Sequence, residues 1–215
     1  MDFQDFLKYL PKIEKEKLLS VEAHIKMAPL ERISSLNSQE YLDKNPKKAA
    51  VMMLLYPRNH ETHLALIVRN SYPGIHASQI AFPGGKVEPT DIDLQHTALR
   101  ETHEEIGVKP ESVNVIRPFS ELYIPPSNFL VSPFLGVVYD EIAFVPSPYE
   151  VKRVLELPLK DLLDDRIITQ VVMSTSYAKN ISVPVFNVDK YVVWGATAMM
   201  MSELKETIRK VLEIN

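Results

Sequence analysis

Two apolar runs near residue 50 form the clearest hydrophobic pattern in the chain. Residues 49–56 and 62–69 are mostly apolar, and the turn-forming sequence Pro57-Arg58-Asn59-His60 separates them. Short apolar runs bounded by turn residues are typical of buried strands. We therefore predict a hairpin of two buried strands at this point.

Further short runs predict a sheet placed between helices. The strands are expected on both sides of Gly84-Gly85 and at 113–117, 121–124, 129–139, 167–173 and 183–188. Helical spacing of apolar positions instead predicts helices at 94–106, 159–164 and 196–212. The predicted fold class is therefore α/β (α+β), with a mixed sheet between helices in one domain.

The first 45 residues carry apolar positions at helical spacing, interrupted by Pro11 and Pro29. We divide the chain into a helical N-terminal extension, residues 1–47, and a main domain, residues 48–215. A structural cap or a dimer contact without chemistry is the favoured interpretation of the extension.

Composition and charge exclude several classes of function. Of the 215 residues, 46% are hydrophobic and 24% are charged. The sequence contains no uncharged apolar run long enough to predict a membrane span. The start of the chain lacks the pattern of a secretory signal, so we expect a cytoplasmic protein. The absence of cysteine excludes disulfides and Cys-ligated zinc, and a formal net charge of −4 argues against a general nucleic-acid binder.

Three carboxylates on the helix at 94–106 are the strongest candidate for chemistry. Glu101, Glu104 and Glu105 fall within an arc of about 100° on a helix. Carboxylates on one face repel one another unless a cation lies between them, and Mg²⁺ or Mn²⁺ prefers such oxygen ligands. The alternative is a solvated acidic face with Arg100 as its surface partner.

The residues around this helix favour the metal interpretation. Adjacent glycines at 84 and 85 permit a tight turn that would bring backbone carbonyls close to a bound ion. Asp91 or Asp93 is expected to cap the helix, and Gly107 is expected to end it.

The segment from Gly85 to Val108 resembles the Nudix box, the signature of hydrolases that cleave diphosphates attached to a nucleoside. The resemblance implies a Nudix-type α/β/α sandwich and a metal-assisted attack of water on a diphosphate. The implied catalytic residues are Glu101, Glu104 and Arg100, and the implied metal ligands are Glu101, Glu104, Glu105 and the Gly85 carbonyl. Which glutamate acts as the base is left open.

The box departs from the usual pattern at one position. That pattern has a glutamate eight residues before the arginine, where this chain has Ile92, with Asp91 and Asp93 on either side. The coenzyme A pyrophosphatase branch of the family has a similar extended form. Its Phe-Pro-Gly-Gly, Pro-Thr-Asp and Ala-Leu-Arg-Glu segments match residues 82–85, 89–91 and 98–101.

Residues 66–85 are similar to a second motif of that branch. The implied substrate-binding residues are Arg69, Lys86, His76 and Gly84. The motif's internal arginine and glycine are replaced by Gly74 and Ser78, and His76, Lys86 or Arg58 is a candidate to replace the missing cation.

The resemblance covers residues 48–205 and implies hydrolysis of coenzyme A or acyl-coenzyme A to adenosine 3′,5′-bisphosphate and 4′-phosphopantetheine. ADP-ribose or a dinucleotide as substrate, and a catalytically silent nucleotide-binding module, are the alternatives. A homodimer is expected only because it is common in the family. Glu121 and Glu150 are candidates for an additional carboxylate, although an isolated glutamate is more often a solvated surface residue. Tyr123 and Trp194 are predicted to be core residues.

Overall fold

The computed structural model of the protein describes residues 1–36, 41–70, 79–175 and 178–213. The helices are α1 Phe3–Leu7, α2 Leu10–Lys15, α3 Val21–His24, α4 Leu30–Leu36, α5 Leu94–Ile106, α6 Leu159–Leu163 and α7 Gly195–Val211. The strands are β1 Lys47–Arg58, β2 Glu61–Arg69, β3 Ile80–Ala81, β4 Gly84–Lys86, β5 Asn114–Pro118, β6 Leu122–Ile124, β7 Phe129–Val137, β8 Val151–Pro158, β9 Ile168–Met173, β10 Ile181–Val188 and β11 Tyr191–Val193.

The main sheet is mixed and has β1 near its centre. Its order is β3-β2-β1-β7-β5, with β4 paired to β1, β6 to β7 and β8 to β2. The β1–β7 pair is parallel, whereas the other pairs are antiparallel.

Alternation along β1 divides the core into two layers. Met52 and Leu54 belong to the cluster that contains Ala98 of α5, whereas Met53 belongs to the cluster that contains Leu204 of α7. Because successive side chains on a strand point to opposite faces, α5 and α7 cover opposite faces of the sheet. The predicted α/β/α arrangement is confirmed.

The predicted helices of the N-terminal segment are present as α1 to α4. Apolar side chains of this segment, including Phe3, Phe6 and Ile13 of the helices and Met27 between α3 and α4, are buried in the same cluster as α7. The extension therefore shares its core with the main domain, and the boundary at residue 47 remains a prediction. Within the described residues, no helix combines the length and the apolar character that crossing a membrane requires.

The structure corrects the predicted hairpin turn. Pro57 and Arg58 belong to β1, and only Asn59 and His60 form the turn, with φ values of 48° and 64°. The register aligns Arg58 with Glu61, so the hairpin has a two-residue loop in which both residues have positive φ, as tight hairpins require.

The glycine pair is also placed differently from the prediction. Gly84 and Gly85 lie within β4, opposite Val51 and Ala50 of β1, and they do not form a turn between two strands. A Cβ atom at Gly84 would lie 2.4 Å from the Ala50 carbonyl oxygen. The absence of side chains therefore permits close strand contact, which the pattern alone did not distinguish from a turn.

Two strands and a second sheet were missed. β8 carries adjacent charges at Lys152 and Arg153 and ends at a proline, so its apolar alternation is weak, and β11 has only three residues. β11, β10 and β9 form a separate three-stranded antiparallel sheet. Its strands were expected to belong to the single main sheet.

Candidate active site

Helix α5 is positioned by caps at both ends, as predicted. The Asp93 side chain accepts a hydrogen bond from the His96 N–H at 2.7 Å, and Gly107 ends the helix with φ of 76°. Ala98 and Ile106 are fully buried against the sheet. The opposite face of α5 is left for Glu101 and Glu104.

Asp91 and Arg100 form a bidentate ion pair at the start of the site. Arg100 Nε and Nη2 donate to the two Asp91 carboxylate oxygens at 2.9 and 3.0 Å. The Asp91 side chain is fully buried and also accepts from the Thr97 hydroxyl and the Glu88 N–H, both at 2.9 Å. These donors, Arg100 first, hold the pKa of Asp91 well below its usual range.

This ion pair accounts for the irregular spacing of the box. Ile92, at the position of the usual glutamate, is 84% exposed and points away from the protein. Asp91, one residue earlier, provides the carboxylate that orients Arg100. The aspartates flanking Ile92 were noted in the sequence, but the sequence did not identify Asp91 as the partner.

Glu101 and Glu104 share the same guanidinium nitrogen. Arg100 Nη1 donates to each carboxylate at 3.1 Å. The Glu104 side chain is about half exposed, whereas that of Glu101 is largely buried. This burial raises the pKa of Glu101, although Arg100 opposes the effect. Arg100 therefore orients both predicted catalytic carboxylates.

The Glu101 carboxylate lies directly against Gly85. A Cβ atom at position 85 would be 2.3 Å from Glu101 Oε1 and 2.6 Å from Oε2. The space that glycine leaves is occupied by the carboxylate, which brings Glu101 beside the backbone of β4, where the predicted carbonyl ligand lies.

Glu105 is fully buried beneath the other two glutamates. Its carboxylate accepts from the Gly84 N–H at 2.8 Å and from Arg69 Nη1 at 3.0 Å. Burial raises the pKa of Glu105 to about 7, against the opposing influence of Arg69 and the Gly84 N–H. Arg69 and Gly84, both predicted to bind substrate, thus contact a site carboxylate, and their substrate role remains a prediction.

The donor set fits a hard divalent cation, although its side chains are engaged with protein groups. Among the described residues, no three His, Asp or Glu side chains are already gathered around a common point. Glu101 and Glu104 contact Arg100, while Glu105 contacts Gly84 and Arg69. Two partly or fully desolvated carboxylates and a glycine backbone nevertheless provide the oxygen chemistry that Mg²⁺ or Mn²⁺ requires.

A fourth carboxylate, Glu150, approaches this group from a loop. Its charge contributes to the raised pKa of both Glu101 and Glu105. The Ser147 N–H of this loop donates to the Glu105 carbonyl of α5 at 2.9 Å. The Asn70 N–H, directly after β2, donates to the Glu150 carbonyl at 2.8 Å.

Glu121 is held beside the same face of the sheet. Its carboxylate accepts from the Ser132 hydroxyl at 2.7 Å. Ser132 and Gly85 both pair with Ala50, one from each neighbouring strand, so the three residues form a row on the α5 face. Both candidate loop carboxylates are therefore near the site, and their roles remain predictions.

The other predicted cations are placed less directly. Lys86 pairs with Ala49, so its side chain projects from the face of the sheet opposite to that of Gly85. Its backbone carbonyl accepts a hydrogen bond from Arg100 at 3.1 Å. Arg58 forms an ion pair with Glu156 in a groove of about 770 Å³ beside β8, a groove that none of the three α5 glutamates lines. His76, Gly74 and Ser78 lie outside the described residues.

The site is thus built on a mixed sheet between helices, where a helix whose carboxylates are oriented by an arginine packs against a glycine-containing strand. Comparison with family models identifies residues 46–169 as a NUDIX domain. The chain belongs to the Nudix family. It is a pyrophosphohydrolase of this family, whose members hydrolyse nucleoside diphosphate derivatives and generally use divalent metal ions.

Relatives agree with this assignment, and a solved structure shares the fold. The chain is 31% identical to Nudix hydrolase 22, chloroplastic, of Arabidopsis thaliana, over 87% of this chain and 64% of that protein. It is 33% identical to "Uncharacterized Nudix hydrolase NudL" of Enterobacter sp. (strain 638), over 74% of this chain and 82% of that protein. The fold is similar to the crystal structure of RenU, a Nudix hydrolase from M. smegmatis, with a TM-score of 0.53 and 14% identity over 77% of this chain and 87% of that one.

Proposed function

We propose that the protein hydrolyses the diphosphate of coenzyme A or acyl-coenzyme A, giving adenosine 3′,5′-bisphosphate and 4′-phosphopantetheine. The observation that carries this proposal is the ion pair of Asp91 with Arg100. In this chain Asp91 supplies the carboxylate that pairs with the arginine of the extended box. This extended form is the one that resembles the coenzyme A branch. The cytoplasmic location and the homodimer remain predictions from the sequence.

The site residues divide the chemistry among them. Glu101, Glu104 and Glu105, with the Gly85 carbonyl, would hold Mg²⁺ or Mn²⁺, which when bound neutralises phosphate oxygens and acidifies water. Arg100 fixes the position of Glu101 and Glu104, and one of these two carboxylates accepts the proton of the attacking water. Burial of Glu105 keeps its carboxylate free of competing bulk water.

Product masses test the proposal most directly. After incubation with coenzyme A and Mg²⁺, we expect the masses of adenosine 3′,5′-bisphosphate and 4′-phosphopantetheine. ADP-ribose and a dinucleotide polyphosphate are assayed in parallel. Negligible turnover of coenzyme A beside rapid cleavage of ADP-ribose would assign the enzyme to another substrate.

Glutamine variants test the carboxylates. We expect Glu104→Gln and Glu105→Gln to lower kcat by about 100-fold or more, because each removes a charge that the chemistry requires. Glu111→Gln, at an exposed glutamate outside the site, is the matched control and should retain wild-type kcat. Wild-type rates in both site variants would refute the metal role of these carboxylates.

A further inference from the structure

An aromatic and cationic surface lies on the α5 face of the sheet, next to the glutamate site. The rings of Tyr41 and Tyr123 are stacked, with centroids 5.0 Å apart and an interplanar angle of 19°. The Lys44 ammonium lies 6.0 Å from the centroid of the Tyr123 ring. Tyr123 was predicted to be a core residue, but it belongs to neither hydrophobic cluster.

Strand register places this surface relative to the site. Lys48 of β1 and Tyr123 of β6 both pair with Leu130 of β7, so these residues form one row across the sheet. Lys48 is two residues before Ala50, which pairs with Gly85. Because residues two apart share a face, the Lys48 row lies about 7 Å from the Gly85 row, on the same side as Glu101.

Within the described residues, the cations of this surface have no anionic partner. Lys44 and Lys48 are exposed, and within the described residues neither forms an ion pair, although Asp43, Glu88 and Glu121 are nearby in sequence or in the sheet. In a chain with a net charge of −4, unpaired ammonium groups beside an aromatic stack are suited to an anionic aromatic ligand.

The surface is held in place by the N-terminal extension. The Tyr123 hydroxyl donates to Asn128 Oδ1 at 2.9 Å, and Asn128 Nδ2 donates to the Lys44 carbonyl at 3.1 Å. Arg32 of α4 donates to the Tyr123 carbonyl. The Lys44 backbone and Tyr123 are therefore tied together, and Tyr41 is held against them by the ring stack.

We propose that Tyr41, Lys44, Lys48 and Tyr123 form a subsite for the phosphorylated nucleoside end of the substrate. The two lysines bind a phosphate additional to the diphosphate, and the partly exposed tyrosine stack contacts the base. This inference rests on the proposed function and specifies how coenzyme A would be distinguished from substrates without a 3′-phosphate. It also gives the extension a role in binding, where a cap or dimer contact was predicted.

Lys47 provides a matched control because it lies on the other face of the sheet. It precedes Lys48 in β1, and its ammonium lies 5.9 Å from the centroid of the Phe129 ring, which packs against the opposite core cluster. Lys47→Ala therefore makes the same change of charge, one residue away, without altering the proposed subsite.

The kinetic test compares coenzyme A with 3′-dephospho-coenzyme A. We expect Lys48→Ala to raise KM for coenzyme A by about tenfold with kcat retained, the loss of one charged contact. KM for the dephosphorylated substrate should change less than about twofold, and Lys47→Ala should change neither value. Equal effects on both substrates, or equal effects of the two lysine variants, would overturn the subsite.

A binding measurement separates failure of the subsite from failure of the proposed function. Calorimetric titration of the metal-free protein with adenosine 3′,5′-bisphosphate should give an affinity that falls by about tenfold in Lys48→Ala and is unchanged in Lys47→Ala. Adenosine 5′-monophosphate should bind both variants alike. Absence of bisphosphate binding would refute the subsite, whereas binding without coenzyme A turnover would refute only the proposed reaction.

Discussion

At the scale of single residues, the site depends on a few side chains that each contact several other groups. Arg100 contacts Asp91, Glu101 and Glu104 and also the Lys86 carbonyl, so one guanidinium orients most of the charged groups of the box. Arginine suits this role because its planar group offers five donors in fixed directions. A lysine at position 100 could not make all of these contacts.

Gly85→Ala tests the close contact with Glu101. The added methyl group would meet the end of a flexible side chain, so Glu101 should move while the backbone remains in place. We expect a loss of kcat of at least about tenfold with a small change in thermal stability, because a displacement of about 1 Å at a catalytic group is costly. Steady-state kinetics and thermal melting measure the two effects.

Gly195→Ala is the control for Gly85→Ala, because it adds the same methyl group at a glycine outside the site. Its φ is 65°, but a Cβ atom there would have no neighbour within 4 Å. It should lower stability by about 1 kcal/mol and leave kcat unchanged. A Gly85→Ala enzyme with wild-type kcat would show that the contact has no catalytic importance.

Asp91→Asn tests the buried ion pair through the pH dependence of stability. The folded pKa of Asp91 is lowered, so its contribution to stability is complete above the unfolded pKa of about 4 and is lost as the pH falls through the folded pKa. The variant should be less stable than wild type by about 2 kcal/mol at pH 7, and this difference should shrink below about pH 4. Urea unfolding of metal-free protein measures the difference, and a difference independent of pH would contradict the assignment.

At the scale of elements, α7 connects the N-terminal helices to the loop that carries Glu121. Glu203 is fully buried and accepts from the Ser20 N–H at 2.7 Å, the Ser120 hydroxyl at 2.6 Å and the Ser120 N–H at 3.1 Å. His24 Nε2 lies 3.5 Å from the same carboxylate. One carboxylate thus joins three segments that are far apart in sequence.

Glu203→Gln should loosen this junction. Glutamine replaces one acceptor oxygen by a donor that faces N–H groups, so we expect stability to fall by about 1–3 kcal/mol. Hydrogen exchange should become faster at the Ser20 and Ser120 amides. Glu206→Gln, on the same helix but paired with the exposed Lys26, should change stability by less than about 0.5 kcal/mol. Unchanged exchange at both amides in Glu203→Gln would rule out the junction.

At the scale of the whole molecule, the sequence predicted elements better than their assembly. The box helix was located to the residue because its caps and amphipathic spacing are local signals. The second sheet, formed by β9, β10 and β11, was missed because the local sequence of a strand does not show which sheet the strand joins. The layered α/β/α arrangement was implied by the family resemblance and not by any single element.

The candidate site was predictable in its residues but not in its contacts. The glutamates and glycines carry a local motif, whereas the partners of Glu105 come from residues 21 and 36 positions away. The Lys48 row was not foreseen either, because its relation to Gly85 exists only through the register of three strands.

The ion pair of Asp91 with Arg100 bears on how such chains are recognised in genomes. A motif search that counts a fixed number of positions finds isoleucine where it requires an acid and rejects the match. In this protein a longer connection and a shorter acidic side chain compensate for each other, so the carboxylate still reaches the arginine although the spacing differs. Search patterns that allow this exchange would recover family members that rigid ones discard.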